Sequence, residues 1–301
     1  MKEPLVLLPG MMCDARLFGP QIAELSCDTA VTVAPVTLGE RIEEIASGLL
    51  DILPKRFALA GHGMGGVVAM EILRRAPDRV NRIALIDTHP LAETPVVAAN
   101  REPQIVKARS GRMMEVMREE VPSGALAPGP YRGEVLGLVM EMAQTLGPEV
   151  YIRQSRAMQR RKDQQGTLRR CRVPALVLCG AHDTISPVKR HEFMAELIPY
   201  AQLRVLENAG HMPTLEQPDE TTAALRAWMA QPSFCNKPDS PMRKARPSIQ
   251  GQAGQTNGLY VIRRLTCPQQ VLRLRFWMPP ICGPRSFCGG SREGYSSRCR
   301  R

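Results

Sequence analysis

Residues 57–75, Phe57-Ala-Leu-Ala-Gly-His-Gly-Met-Gly-Gly-Val-Val-Ala-Met-Glu-Ile-Leu-Arg-Arg75, constrain the fold more than any other part of this chain. Phe57 to Ala60 is a short apolar run of the length of a buried strand. Gly61, Gly63, Gly65 and Gly66 follow within six residues. Val67, Met70, Glu71 and Arg74 then recur at helical spacing, and Pro77 stands just past the end. The pattern predicts strand, sharp turn, helix.

Two catalytic devices share that layout. One is the G-x-S-x-G turn, which lifts a serine above a parallel sheet beside an oxyanion hole. Gly61-His62-Gly63-Met64-Gly65 has every element of it except the serine, whose place Gly63 takes. The other is the dinucleotide fingerprint G-x-G-x-x-G, which Gly61, Gly63 and Gly66 satisfy literally, with Asp87 closing the next apolar run about where a ribose-binding acid would sit. The rest of the chain has to decide between them.

The net charge of +11 over 301 residues suggests an anionic partner until it is located. From residue 231 onward lie 13 of the 40 basic residues and 2 of the 29 acidic ones, which leaves 27 of each sign before it. The body is neutral, so its composition does not point to nucleic acid. Cys13, Cys27, Cys171 and Cys179 in the body show no metal-ligand spacing, and the other five cysteines fall in the tail. A reduced, cytoplasmic protein without metal or cofactor is expected. The first apolar run is too short for a signal peptide, and no run approaches the length that spans a membrane.

Taken in order, Leu5–Leu8, Ala30–Ala34, Phe57–Ala60, Val80–Ile86, Val173–Cys179 and Gln202–Leu206 read as strands. Ile42–Leu53, the segment after Gly66, His191–Ile198 and Pro218–Met229 read as helices between or after them. The alternation predicts a mostly parallel sheet with helices on both faces. Residues 91–170 break the rhythm: no strand candidate is present, and amphipathic helices fit Glu102–Ala108, Arg112–Glu119, Gly133–Leu146 and Glu149–Arg161. A helical insert of that kind is what a cap over an active site looks like. Its Met113, Met114, Met117, Met140 and Met142 suit core filling or an adaptable apolar wall.

Four segments decide the matter: Leu7-Leu8-Pro9-Gly10-Met11-Met12-Cys13-Asp14, Gly61-His62-Gly63-Met64-Gly65-Gly66, Gly180-Ala181-His182-Asp183 with Pro187, and Asn208-Ala209-Gly210-His211. Residues 1–230 resemble the α/β-hydrolase family, esterase- or lipase-like, in the chain order nucleophile, acid, histidine. The resemblance implies His211 as general base, Asp183 as the acid that orients it, and the Met11 and Met64 amides as oxyanion donors. Asp87 is a rival for the acid, since some members place theirs after that earlier strand. His62 and His89 fall near the same face and read as structural or cap-facing.

The departure from the family is Gly63, which has no nucleophile, and Cys13 is on the wrong loop to replace it. Three accounts fit: a catalytically dead variant, natural or engineered; a degenerate hydrolase kept for binding; or a water in place of the hydroxyl, activated by His211. The expected protein is thus a domain of residues 1–230 with its cap at about 91–170, hydrolysing carboxylic esters of small to medium apolar substrates. The alternative is an inactive ligand-binding relative. Residues 231–301 read as a basic, disordered or non-native tail, with Phe276 and Trp277 beside arginines the only nucleic-acid-like feature.

Overall fold

Every strand pairing among the described residues is parallel, and the reason is their connections: each strand is followed by helix before the next strand begins. The computed structural model describes residues 3–232, and the tail from residue 233 on lies outside them. The strands are β1 (Leu5–Leu8), β2 (Val31–Val33), β3 (Phe57–His62), β4 (Val80–Ile86), β5 (Ala175–Gly180) and β6 (Ala201–Leu206), in spatial order β2-β1-β3-β4-β5-β6. The helices are α1 (Gly19–Leu25), α2 (Ile42–Ile52), α3 (Met64–Arg75), α4 (Pro95–Lys107), α5 (Met113–Glu120), α6 (Arg132–Gln159), α7 (Gln165–Arg169), α8 (Val188–Leu197), α9 (Pro213–Glu216) and α10 (Pro218–Met229).

The central strands are mostly apolar because both faces of the sheet are covered, with Asn81 and Arg82 at the start of β4 the main departure. Successive side chains divide between two cores. Leu5 and Leu7 of β1, Ala58 and Ala60 of β3, and Leu176 and Leu178 of β5 share one core with Leu25 of α1 and with Leu225 and Trp228 of α10. Val6 and Leu8, Phe57 and Leu59, and Ala175 and Val177 point the other way, against α2, α3 and α8. The first core continues into the helices between β4 and β5 through Ile105, Met113, Met117, Val139, Met142 and Tyr151. Met113, Met117 and Met142 are buried there, while Met114 and Met140 pack partly exposed at its edge.

Boundaries shift where backbone chemistry demands it. The fifth strand begins at Ala175, not Val173, because Pro174 has no N–H to give the ladder. Pro148 excludes helical geometry from the residue before it, so Gly147 adopts φ 78° and α6 bends into the two segments that the pattern separates.

Register aligns the strand ends that matter. Leu8 pairs with Gly61, His62 with Ile86, Ile86 with Leu178, and Gly180 with Leu206. The segments after β1, β3, β4, β5 and β6 therefore emerge side by side along the C-terminal edge of the sheet, where open parallel sheets hold their ligands.

Candidate active site

Gly63 sits between β3 and α3 with φ 49° and ψ −116°, a conformation costly for any residue with a Cβ. Space is not the obstacle there. A Cβ on Gly63 would lie 3.8 Å from Gly10 Cα and 4.0 Å from the Asp87 carbonyl, ordinary contacts. Gly65 is needed for closeness instead: a Cβ on it would approach the Leu8 carbonyl oxygen to 2.1 Å. The glycines thus let α3 press onto the sheet, and that accounts for them without a phosphate. Asp87, the supposed ribose acid, is 1 % exposed and held within the protein, so the dinucleotide pattern is coincidental.

Asp183 follows β5 and His211 follows β6. The His211 Nδ1–H donates to Asp183 Oδ2 at 2.8 Å. Asp183 Oδ1 accepts the amides of Ile185 at 2.8 Å and Ser186 at 2.9 Å. Burial by itself would raise the Asp183 pKa, but attraction to His211 and these hydrogen bonds outweigh it and hold the carboxyl below its usual range. His211 is fixed through its backbone as well: its N–H donates to the Ala125 carbonyl at 2.8 Å, and its carbonyl accepts the His62 Nε2–H at 2.7 Å. Nε2 is left as the uncommitted nitrogen of a ring that lines the cavity.

The two carboxyls are shifted in opposite directions. Asp87 is pushed well above its ordinary value, first by burial, then by the charge of Asp183 and a hydrogen bond to it. Asp87 Oδ1 accepts the Gly180 amide at 3.2 Å, while Oδ2 is buried with no donor near it. A protonated Oδ2 that donates to Asp183 explains both observations. Asp87 thus lies close to both Asp183 and His211, but the hydrogen bond of His211 Nδ1 goes to Asp183. Donor atoms of Asp87, Asp183 and His211 lie within 4.8 Å of one another, close enough for a divalent ion. Those atoms are already committed to one another, so the chemistry of the set fits a hydrogen-bonded relay rather than a metal.

His62 is buried, and its pKa falls to about 3, first through burial and then through repulsion by His211. A neutral ring that props the His211 carbonyl is a structural part. The Cys13 thiol is pushed up to about 12, chiefly by burial, so it is no thiolate nucleophile.

Met11 and Met64 also line the cavity, and their amides have no hydrogen-bond partner among the described residues. The turn that carries Met11 is braced from the insert: Gln154 Oε1 accepts the Met12 amide at 2.9 Å, and its Nε2 donates to the Val36 carbonyl at 3.0 Å. Met12 is held at φ 54°. Glu216 does the same for the His211 loop, accepting the amides of Gly210, Met212 and Ala127 at 3.0, 2.8 and 2.7 Å. Neither Gln154 nor Glu216 stands out in the sequence, because each acts on a segment brought to it only by folding.

A cavity of about 120 Å³ separates this edge from the insert. Met117, Glu120, Val121, Met158, Arg101 and Arg161 form its far wall. Of the five methionines singled out in the sequence only Met117 lines the cavity, joined by Met158; two arginines and a glutamate are there unexpectedly.

The comparisons with known proteins bear on the family and the fold. Residues 5–225 match the sequence profile of the alpha/beta hydrolase family. The chain is 24% identical over 221 residues to a pimeloyl-[acyl-carrier protein] methyl ester esterase of Aromatoleum aromaticum, covering 60% of this chain and 77% of that protein. It is 21% identical over 246 residues to a putative carbamate hydrolase of Yersinia enterocolitica, covering 75% and 87%. Among solved structures, a thermophilic esterase from Thermogutta terrifontis superposes with a TM-score of 0.69 at 28% identity, over 76% of this chain and 90% of that one. The enol-lactonase from Burkholderia xenovorans LB400 gives 0.68 at 25% identity, over 77% and 93%.

Proposed function

Since this chain belongs to the alpha/beta hydrolase family, and its relatives are esterases and other hydrolases, we propose that it hydrolyses carboxylic esters with a small to medium apolar body, using Asp183 and His211. The observation that carries this reading is the His211–Asp183 hydrogen bond at 2.8 Å beside a cavity that Gly63, Met11 and Met64 also line. Asp183 fixes the tautomer that leaves Nε2 of His211 as a base and stabilises the imidazolium formed when it takes a proton. The Met11 and Met64 amides supply two fixed dipoles for an oxyanion.

Gly63 decides the course of the reaction. A water in the space above it gives its proton to His211 Nε2 as its oxygen bonds to the ester carbonyl carbon. The tetrahedral oxyanion rests on the two amides. It collapses with loss of the alcohol, whose oxygen takes the proton back from His211. Such a path is slow: in a serine protease, removal of the nucleophile costs about 10⁶-fold, while roughly 10³–10⁴ over water survives from binding and the oxyanion hole. The missing side chain also supports a second reading, a binding protein without turnover. The free thiols Cys13, Cys27, Cys171 and Cys179 support a reducing, cytoplasmic setting.

Gly63→Ser tests the first reading. Its hydroxyl meets no clash at the Cβ, and we expect hydrolysis of p-nitrophenyl acetate and butyrate to rise, with new labelling by a fluorophosphonate. The variant should lose about 1 kcal/mol of stability or more, because serine must hold a positive φ. A folded Gly63→Ser protein that neither labels nor gains rate would favour the binding protein.

A further inference from the structure

Arg161 is a buried cation with no carboxylate partner among the described residues. It is 8 % exposed and lines the cavity. Its side chain reaches only His89 Nε2, at 3.0 Å from NH2, and the Met158 sulfur, at 3.9 Å from NH1; Nε has no partner. Its neighbour Arg101 differs: it is bound by Glu93 at 2.6 to 3.0 Å and approached by Glu120 at 3.8 Å. Glu93 is therefore spent on Arg101. Burial, and then the charges of Arg101 and Arg190 set against that of Glu93, bring the Arg161 pKa down to about 10, so it remains a cation at neutral pH.

His89 adds a second donor to the same wall. Its Nε2 lies 3.0 Å from Arg161 NH2 and 2.7 Å from Arg190 NH1. Both neighbours are obligate donors, so Nε2 accepts and the ring proton sits on Nδ1. That Nδ1–H is buried with no acceptor. Two adjoining cavity residues thus each hold a buried N–H with no partner among the described residues, and one is a cation offset only by Glu93, which is itself bound to Arg101. Native interiors rarely leave such groups unpaired unless a ligand completes them.

We propose that His89 and Arg161 form a carboxylate subsite, so that the substrate is the monoester of a dicarboxylic acid: its free carboxylate sits on Arg161 and its ester lies at the Gly63 end of the cavity. The assignment of the ester end rests on the hydrolase reading above; the anion subsite itself does not. Met117 and Met158, which also line the cavity, suit a short methylene chain. A planar guanidinium is the group that matches a carboxylate's two oxygens.

The test uses the full chain and two ligands that differ only in the distal charge, monomethyl glutarate and dimethyl glutarate. Calorimetry on the unaltered protein should show the monoester binding at least about 10-fold tighter than the diester, a margin set by one desolvated charged hydrogen-bond pair. Arg161→Met should erase that preference and melt no lower than the parent, since Arg190 still donates to His89 Nε2 and a buried charge has been removed. Arg161→Lys should retain a reduced preference. Equal affinity for the two esters, or a preference that survives Arg161→Met, would overturn the subsite. The two readings fail separately. If the monoester preference holds while Gly63→Ser gains no rate, the subsite stands and the hydrolase reading falls. If Gly63→Ser cleaves both esters equally well, the hydrolase reading stands and the subsite falls.

Discussion

The floor and the far wall of the cavity are built on opposite principles. On the floor, polar groups are paired in series: His62 with the His211 carbonyl, His211 with Asp183, Asp183 with two amides and with Asp87. On the wall, Arg161 and His89 keep donors that no described residue accepts. The floor has unpartnered atoms as well, His62 Nδ1, Asp87 Oδ2 and Ser186 Oγ, but they sit among the paired groups, whereas the wall's include one on a cation. The difference teaches that the protein itself orients the His211–Asp183 pair, whereas the wall, on the subsite proposed above, is completed by a ligand. Paired groups hold orientation; unpaired ones store binding energy for what arrives.

The comparison breaks first at His211. In a Gly63→Ser background, His211→Ala should return the rate to that of the parent chain, a loss of up to about 10⁶-fold in kcat if serine and histidine act as a unit. Steady-state hydrolysis of p-nitrophenyl butyrate measures it, and a rate that survives would mean that the base lies elsewhere.

The two carboxyls sharpen it next. In the same background Asp183→Asn should cost up to about 10⁴-fold in kcat, as loss of the orienting acid does in serine proteases. Asp87→Asn should cost less than about 10-fold, because the raised pKa of Asp87 favours its neutral form and an amide can still donate to Asp183. Stability carries the sign of the protonation states. Asp87 has a raised pKa, so its contribution is fully present below the ordinary value of 3.8 and is lost as pH rises through the raised one. Asparagine does not ionise, so the melting temperature of Asp87→Asn should gain on the parent as pH rises. Asp183 behaves oppositely: its contribution is present above 3.8 and is lost as pH falls through its lowered value. Reversed pH trends in the two variants would interchange their roles.

Glu216 joins floor to wall, since it holds Gly210 and Met212 on one side and Ala127 on the other. Glu216→Gln keeps a single acceptor oxygen for three amides. Thermal unfolding should show a loss of about 1–3 kcal/mol, the cost of buried donors left unmet. Unchanged stability would mean that the two loops hold themselves.

The smallest expected effect is none. Deleting residues 235–301 should leave the melting transition and any esterase activity as they are, given that the chain's excess positive charge is confined to that tail and helical periodicity ends with α10. Loss of soluble protein on truncation would show that the body needs the tail.

Much of the floor was legible in the sequence because its parts are local. Strand, glycine turn and helix are written in consecutive residues, and Asp183 and His211 each stand in the loop that follows a short strand pattern. Pairing them took the resemblance, and separating Asp183 from Asp87 took the structure: both follow strands, and only register and burial give one the hydrogen bond to His211 and raise the pKa of the other. The wall was not legible. Arg161 ends a helix like many arginines, and His89 reads as one more loop histidine. What sets them apart is that their buried donors have no partner among the described residues, a property of everything packed around them and of no residue in particular. The sequence by itself determined the alternating elements and the glycine turn, since backbone conformation follows from local pattern. Tertiary structure alone decided which polar groups find partners, because desolvation and pairing depend on segments distant in the chain.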